Sequence, residues 1–315
     1  MISIFYRHDG EILLSQSATE FASISKEEVL WIDLLSPTGD EKRAAEAFLG
    51  TEIQSRATAE EIESSSRFSE NETGIFINTN FLSPSDDEMS MDPVSFTIVD
   101  GTLTTLREIP LRSFTLLQRR IQARPAQFPN GFSIFTFILD QRVDLDADII
   151  ELMSKDAAIF SRRINQQEDI NEEFLIDINQ LQENALVVRE NVVDKQRVIS
   201  NILKSDRYPE ELEPKLNVIL QDIASLLNHI NFTFERLEYL QDTAEGLINL
   251  EQNRIMKIFT ILSALVMPAT LIASFYGMNV QLPFAEFGLA WVGISLLMLL
   301  TIGVIFFIAK KNKML

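Results

Sequence analysis

The sequence predicts an α+β/α membrane protein: an N-terminal α/β domain, a long stalk helix, and two C-terminal transmembrane helices, the first continuous with the stalk. Three observations predict it. Two charge-free runs, Ile258–Tyr276 and Leu289–Ala309, lie near the C-terminus; a heptad pattern leads into the first; and strand-like segments are confined to the first 130 residues. An α-helix rises ~1.5 Å per residue and the hydrocarbon core is ~30 Å thick, so about 20 residues span it. Runs of 19 and 21 residues both qualify.

Charge divides the 315 residues in the same way. The chain carries −19, from 27 basic and 46 acidic residues. From Arg254 onward the basic residues are Arg254, Lys257, Lys310, Lys311 and Lys313 and the only acid is Glu286, a balance of +4 that leaves −23 on the preceding 253 residues. So acidic a body disfavours nucleic acid as a partner, because nucleic-acid binding needs a basic patch. Zero Cys excludes disulfides, thiolate metal sites and cysteine nucleophiles. His8 and His229 have no ligand spacing and read as ordinary surface or core residues; no glycine-rich phosphate loop or catalytic constellation appears, so no enzyme is expected. The N-terminus lacks a charged segment followed by an apolar one, so no cleaved signal peptide is expected.

In residues 1–130 the expected elements are mixed. Trp31-Ile32-Asp33-Leu34 is a strand, and Asp40–Leu49 and Ala59–Arg67 are helices with polar caps. Gly74–Asn78, Val94–Val99 and Leu103–Leu106 are strands, the last two joined at Asp100-Gly101, a hairpin dipeptide. Ser83–Pro93, holding Asp86, Asp87, Glu88 and Asp92, is an acidic loop. Residues 131–209 hold two long helices, Ser133–Ile164 and Ile170–Lys204, and a break at Asp206–Pro209. Residues 210–257 form the stalk. There Leu216, Ile223, Ile230 and Leu237 recur every seven residues, with Leu220, Leu227 and Phe234 four residues after the first three, a seam for helix association. No Pro lies between Pro214 and Pro268, so the stalk runs unbroken into the first span, residues 258–276. A connector, 277–288, a second span, 289–309, and a basic tail, 310–315, complete the chain. Arg254 and Lys257 flank the first span and the lysines follow the second, whereas the connector has neither Lys nor Arg. By the positive-inside rule both termini are cytoplasmic.

The first span carries a polar stripe. Thr260, Ser263, Thr270 and Ser274 fall within a sector of roughly 80° at 100° per residue. Met267 joins them, and Met256, Asn253, Asn249, Gly246 and Asp242 continue on or near that face toward the cytoplasm. Polar groups in hydrocarbon need partners or water. Two readings fit: close helix packing through small and hydroxyl residues, or the lining of a pore built by several copies around an axis. The amides and the carboxylate that carry the face beyond the bilayer favour the pore. Pro268 removes one backbone hydrogen bond in mid-span and serves either a packing kink or a gating hinge.

The stripe ends at Tyr276-Gly277-Met278-Asn279, at the outer end of the penultimate span. With the approach segment Glu251–Phe259, the run Met267-Pro268-Ala269-Thr270, and the more distant Trp31–Leu34, Ile62–Phe68 and Phe96–Gly101, this resembles the CorA family of divalent-cation channels, in its proteobacterial branch. The resemblance implies a funnel-shaped homopentamer in the bacterial inner membrane, passing Mg²⁺ and also Co²⁺ or Ni²⁺ passively. Gly277, Met278 and Asn279 would form the selectivity filter, with Asn279 as the outer ring. Asn253 and Met256 would form the inner constriction, Asp242 the cytoplasmic mouth, and Lys310, Lys311 and Lys313 a basic collar. Phe259 stands where relatives have a Leu gate, so Met256 and Phe259 are the expected hydrophobic gate. The acids usual after the tripeptide are here Val280, Gln281, Leu282 and Pro283.

The chemistry agrees with the ion. Mg²⁺ gives up its waters reluctantly, and a ring of neutral amides can hydrogen-bond those waters without stripping them. The resemblance also implies Mg²⁺ bound between subunits as a feedback ligand, for which Asp86, Asp87 and Glu88 supply hard oxygens. No prosthetic group is expected; the partners are further copies of the chain, the bilayer and divalent cations. Two rivals stand beside this reading: a tail-anchored oligomeric scaffold, which has no use for a polar face through the bilayer, and a Zn²⁺ transporter of the same superfamily, which usually varies the tripeptide's middle residue, here Met278.

Overall fold

The computed structural model of the chain describes residues 1–54, 67–84, 89–278 and 288–311. It comprises two compact units, Met1–Gln241 and Asp242–Leu315. The expected helix at Ala59–Arg67 falls almost wholly outside the described residues, as do Asp86, Asp87 and Glu88.

Unit 1 is built on one seven-stranded sheet. Its strands are β1 (Ile2–His8), β2 (Glu11–Ser15), β3 (Val29–Leu35), β4 (Phe68–Glu70), β5 (Ile75–Pro84), β6 (Met89–Val99) and β7 (Thr102–Arg107). They are ordered β2-β1-β3-β7-β6-β5-β4, antiparallel throughout except for the parallel pair β3–β7. The β6–β7 hairpin turns at Asp100-Gly101 as expected, with φ of 48° and 84°, the positive pair that a two-residue primed turn requires. Strands β1 and β2 are additional to those expected and turn on the same dipeptide, Asp9-Gly10 (φ 51° and 86°). The expected loop Ser83–Pro93 is shorter in the structure. Met89–Pro93 pairs with Asn80–Pro84 in the β5–β6 ladder, and Met89 and Met91, two residues apart, pack half-buried against the core.

Strand alternation gives the sheet two apolar faces. Ile2, Ile4, Ile32 and Leu34 pack with Ala45 and Leu49 of α1 (Gly39–Leu49). Phe5, Trp31, Phe81, Phe96 and Leu103 face a helical layer of α2 (Arg112–Ala123), α3 (Gly131–Gln166) and α4 (Glu172–Ile202). The first turn of α3 docks on the β6–β7 hairpin. Gly131 N–H donates to Gly101 O at 2.6 Å, and a Cβ at Gly131 would overlap Leu103 N and Gly101 O, so the approach requires glycine. Residues on either side of position 130 therefore share one core, and the structure places the unit boundary at Gln241 instead.

Helix α5 (Glu213–Tyr276) follows without a break. Its heptad seam is satisfied within the chain. Leu216, Ile223, Ile230 and Leu237 are buried, and the expected Leu220, Leu227 and Phe234 pack half-buried against the same core, joined by buried Ile219, Thr233 and Leu240. Ser154 and Thr233 share a hydroxyl hydrogen bond at 3.0 Å, and Lys215 pairs with Asp140 at 2.9 Å, fixing α5 beside α3.

Two buried polar clusters brace unit 1, the first between β3 and β7 and the second between the helices and β5. Asp33 accepts from Arg107 Nη2 at 2.8 Å and from Thr105 Oγ1 at 2.8 Å, and Trp31 Nε1 donates to Thr105 at 3.0 Å. Asp146 of α3 pairs with Arg142 at 3.1 Å and with Lys195 of α4 at 2.9 Å. Arg142 and Lys195 also donate to Leu82 O and Asn80 O on β5. Complete burial pushes the Lys195 amine down in pKa, with the Asp146 carboxylate opposing the shift.

Unit 2 holds the upper part of α5 and α6 (Ala290–Lys311). Both helices are long and apolar enough to cross a membrane.

Candidate pore face

The polar stripe stays in register because the helix does. Pro268 sits inside α5, and the element continues past it to Tyr276. A proline costs the bond to the carbonyl four residues back, here that of Ala264. Thr260 Oγ1 donates to Met256 O at 2.8 Å and Thr270 Oγ1 to Val266 O at 3.0 Å. Each threonine thus spends its proton on its own helix and presents oxygen lone pairs outward. A face of such oxygens accepts hydrogen bonds from the waters of a hydrated cation.

Ser263, Met267, Thr270 and Ser274 together line one concave strip along α5, edged by Leu262, Val266 and Leu271. Thr260, Met256, Phe259, Asn253, Asn249 and Asp242 lie outside that strip, and all are exposed. The covered side of the helix lies opposite. Ile261 is buried and Leu265, Ile272 and Tyr276 are half-buried, positions turned by 100° per residue to the far side of the stripe. On α6 a single line of covered positions likewise runs through Ile294, Met298, Ile302, Ile305 and Ala309. Each helix is thus covered along one side, and the polar face of α5 stays open.

At the outer end, Gly277 N–H donates to Ala273 O at 2.9 Å and closes the last turn of α5. Gly277 and Met278 are exposed. Asn279 and Lys313 lie outside the described residues; Lys310 and Lys311 form the last turn of α6. Among the described residues no group of three or more His, Asp or Glu side chains is placed to hold a metal ion. The division of labour within the stripe, in which threonines bond back to the helix, goes beyond what the sequence predicts. Its only signal there is the spacing of Thr260 and Thr270 from accepting carbonyls four residues back.

Residues 26–311 match the family described as CorA-like Mg2+ transporter protein. The magnesium transport protein CorA of Wolinella succinogenes is 33% identical over 284 residues, covering 89% of this chain and 88% of the relative. That of Escherichia coli is 34% identical over 275 residues, covering 86% and 87%. Among solved structures, the complete CorA magnesium transporter of Methanocaldococcus jannaschii superposes with a TM-score of 0.78 over 98% of this chain and 97% of that one. Its 16% identity makes this a likeness of fold.

Proposed function

The chain belongs to the CorA-like Mg2+ transporter family, and from that premise we propose that it is a Mg²⁺ channel whose pore is lined by the open face of α5. The observation that carries the proposal is the concave strip of Ser263, Met267, Thr270 and Ser274 on the side of α5 away from the covered one. One helix cannot enclose water. A homopentamer closes five such strips around an axis, each offering acceptor oxygens to a cation that keeps its hydration shell. Co²⁺ and Ni²⁺, hydrated ions of similar kind, pass by the same route.

Gly277, Met278 and Asn279 form the outer filter, in which five Asn279 amides hold the hydrated ion. Asn253 and Met256 narrow the inner end, Met256 and Phe259 gate it by excluding water, and Asp242 draws cations to the cytoplasmic mouth. The protein spans the bacterial inner membrane with both termini in the cytoplasm, where the lysines of the tail meet anionic lipid. Mg²⁺ bound between subunits closes the channel.

Ion-resolved flux into proteoliposomes, with Mg²⁺, Co²⁺, Ni²⁺ and Zn²⁺ in parallel, tests the reading. The wild type takes up Mg²⁺, Co²⁺ and Ni²⁺, and Asn279→Ala loses at least most of that uptake while remaining assembled. Zn²⁺ uptake without Mg²⁺ uptake overturns the ion assignment. Equal uptake by an assembled Asn279→Ala protein moves the filter elsewhere.

A further inference from the structure

Unit 1 is acidic, yet its charge is unevenly placed. Between Glu108 and Asp140 the chain holds Arg112, Arg119, Arg120 and Arg124 and no acid. Helix α2 buries Ser113, Phe114, Leu117 and Ile121 against the sheet. It turns Arg112, Leu116 and Arg119 outward, within a sector of roughly 60°, with Leu116 43% exposed. This helix sits at the β2 end of the helical layer, whereas α4 covers β4, β5 and β6 at the other. The outward side of α4 carries Glu183, Leu186 and Glu190, with Leu186 40% exposed. Among the described residues, none of these four charged side chains makes an ion pair.

The two faces match in spacing as well as sign. On each helix two like charges stand seven residues apart, about 10 Å at 1.5 Å per residue, with a leucine between them. Direction follows from the packing. Arg120 of α2 lies over the Phe137 ring of α3, whereas Phe114 and Arg142 meet at Phe81, so α2 and α3 are antiparallel. Asp146 pairs with Lys195 and Phe160 packs on Phe174, so α3 and α4 are antiparallel too. Within one chain α2 and α4 therefore point the same way. Copies related by rotation about an axis along that direction bring α2 of one beside α4 of the next, parallel.

We infer that the basic face of α2 docks on the acidic face of α4 of a second copy, Leu116 against Leu186, Arg112 beside Glu183 and Arg119 beside Glu190. The inference rests on the ring proposed above. Two different patches meeting head to tail make a heterologous contact, the kind that closes rings. Apolar contact at the centre with charge at the rim is the usual anatomy of an association surface, and the charges set register and partner choice more than affinity.

The absence of Cys gives a clean background for the test. In the detergent-solubilised full chain, Leu116→Cys with Leu186→Cys, treated with a short bismaleimide, gives a ladder of covalent multimers up to the closed ring. Either cysteine alone gives monomer. Arg119→Glu weakens the ladder, and Arg119→Glu with Glu190→Arg restores it. Mass measurement of the untreated variants separates the possible failures. A ring without a ladder overturns this contact and leaves the ring standing. A monomer throughout overturns the ring and the contact with it. Cross-linked dimers from one cysteine alone make the contact isologous and overturn the inference.

Discussion

Met256 lies on the open face of α5 just before the first apolar span, and its side chain is 64% exposed. Its carbonyl accepts from the Thr260 hydroxyl at 2.8 Å. A thioether is a soft donor and a poor ligand for Mg²⁺, so its contribution to a pore is size and dryness. Phe259, 60% exposed, stands about 60° round the helix from Met256 at 100° per residue, nearer the edge of the stripe. In the proposed pore, Met256 is thus the residue whose removal is expected to wet the constriction. Met256→Ser keeps the helix and replaces an apolar ring by hydroxyls. A dewetting barrier lowered by ~1.4 kcal/mol raises closed-state leak about tenfold. Single-channel recording at high internal Mg²⁺ measures it, and an unchanged closed-state conductance removes Met256 from the gate.

On the scale of single elements, α3 carries a carboxylate ladder whose charges oppose one another. Partial burial first, and then repulsion from Asp140, Asp222 and Asp148, pushes Asp144 up in pKa, with Lys215 opposing. A carboxyl whose pKa is higher in the folded state than in the unfolded chain makes the folded protein bind more protons in that window. Stability therefore falls as pH rises through the window and recovers as the group is protonated. Asp144→Asn raises the unfolding temperature at pH 7. Most of the Asp144 side chain is still in solvent and screened, so the gain is on the order of 0.5 kcal/mol. It shrinks toward zero when both proteins are melted near pH 4. A gain that persists at low pH assigns the effect to packing. The same helix shows what is legible in a sequence. Its length and apolar face follow from periodicity, as do both apolar spans, and the Asp100-Gly101 hairpin follows from its dipeptide; its cap at Asn130 lies three residues before the expected start at Ser133. The pairing of Asp146 with Lys195 is not legible, because charges 49 positions apart read as two solvated faces until packing brings them together. Asp9-Gly10 carries the same turn signal as Asp100-Gly101, but in β2 beside it Ile12, Leu13 and Leu14 run consecutively and lack the alternation that marks a half-buried strand. The stripe is legible residue by residue, since helical geometry alone assembles it. What would cover its open face is not, since the periodicity of one helix does not specify a neighbour.

At the scale of the whole molecule, charge dominates. The first 253 residues carry −23, and several such bodies gathered about one axis repel one another. Repulsion of that kind opens an assembly unless cations sit between the copies. Divalent cations do so best where hard oxygens cluster, and Asp86, Asp87 and Glu88 form the densest run of acids in the first hundred residues. They lie between β5 and β6, outside the described residues. Internal Mg²⁺ that binds the closed arrangement more tightly than the open one shifts the equilibrium only by that difference in affinity. Replacing Asp86 and Asp87 by Asn removes two charges and their ligating strength together. A ligand whose preference for the closed state drops by ~1.4 kcal/mol inhibits at about tenfold higher concentration. Current recorded against internal Mg²⁺ should therefore shift to higher concentration in the double variant, with unitary conductance unchanged because the pore face is untouched. An inhibition curve that does not move assigns the feedback to acids elsewhere on unit 1, and a changed unitary conductance places the loop on the permeation path.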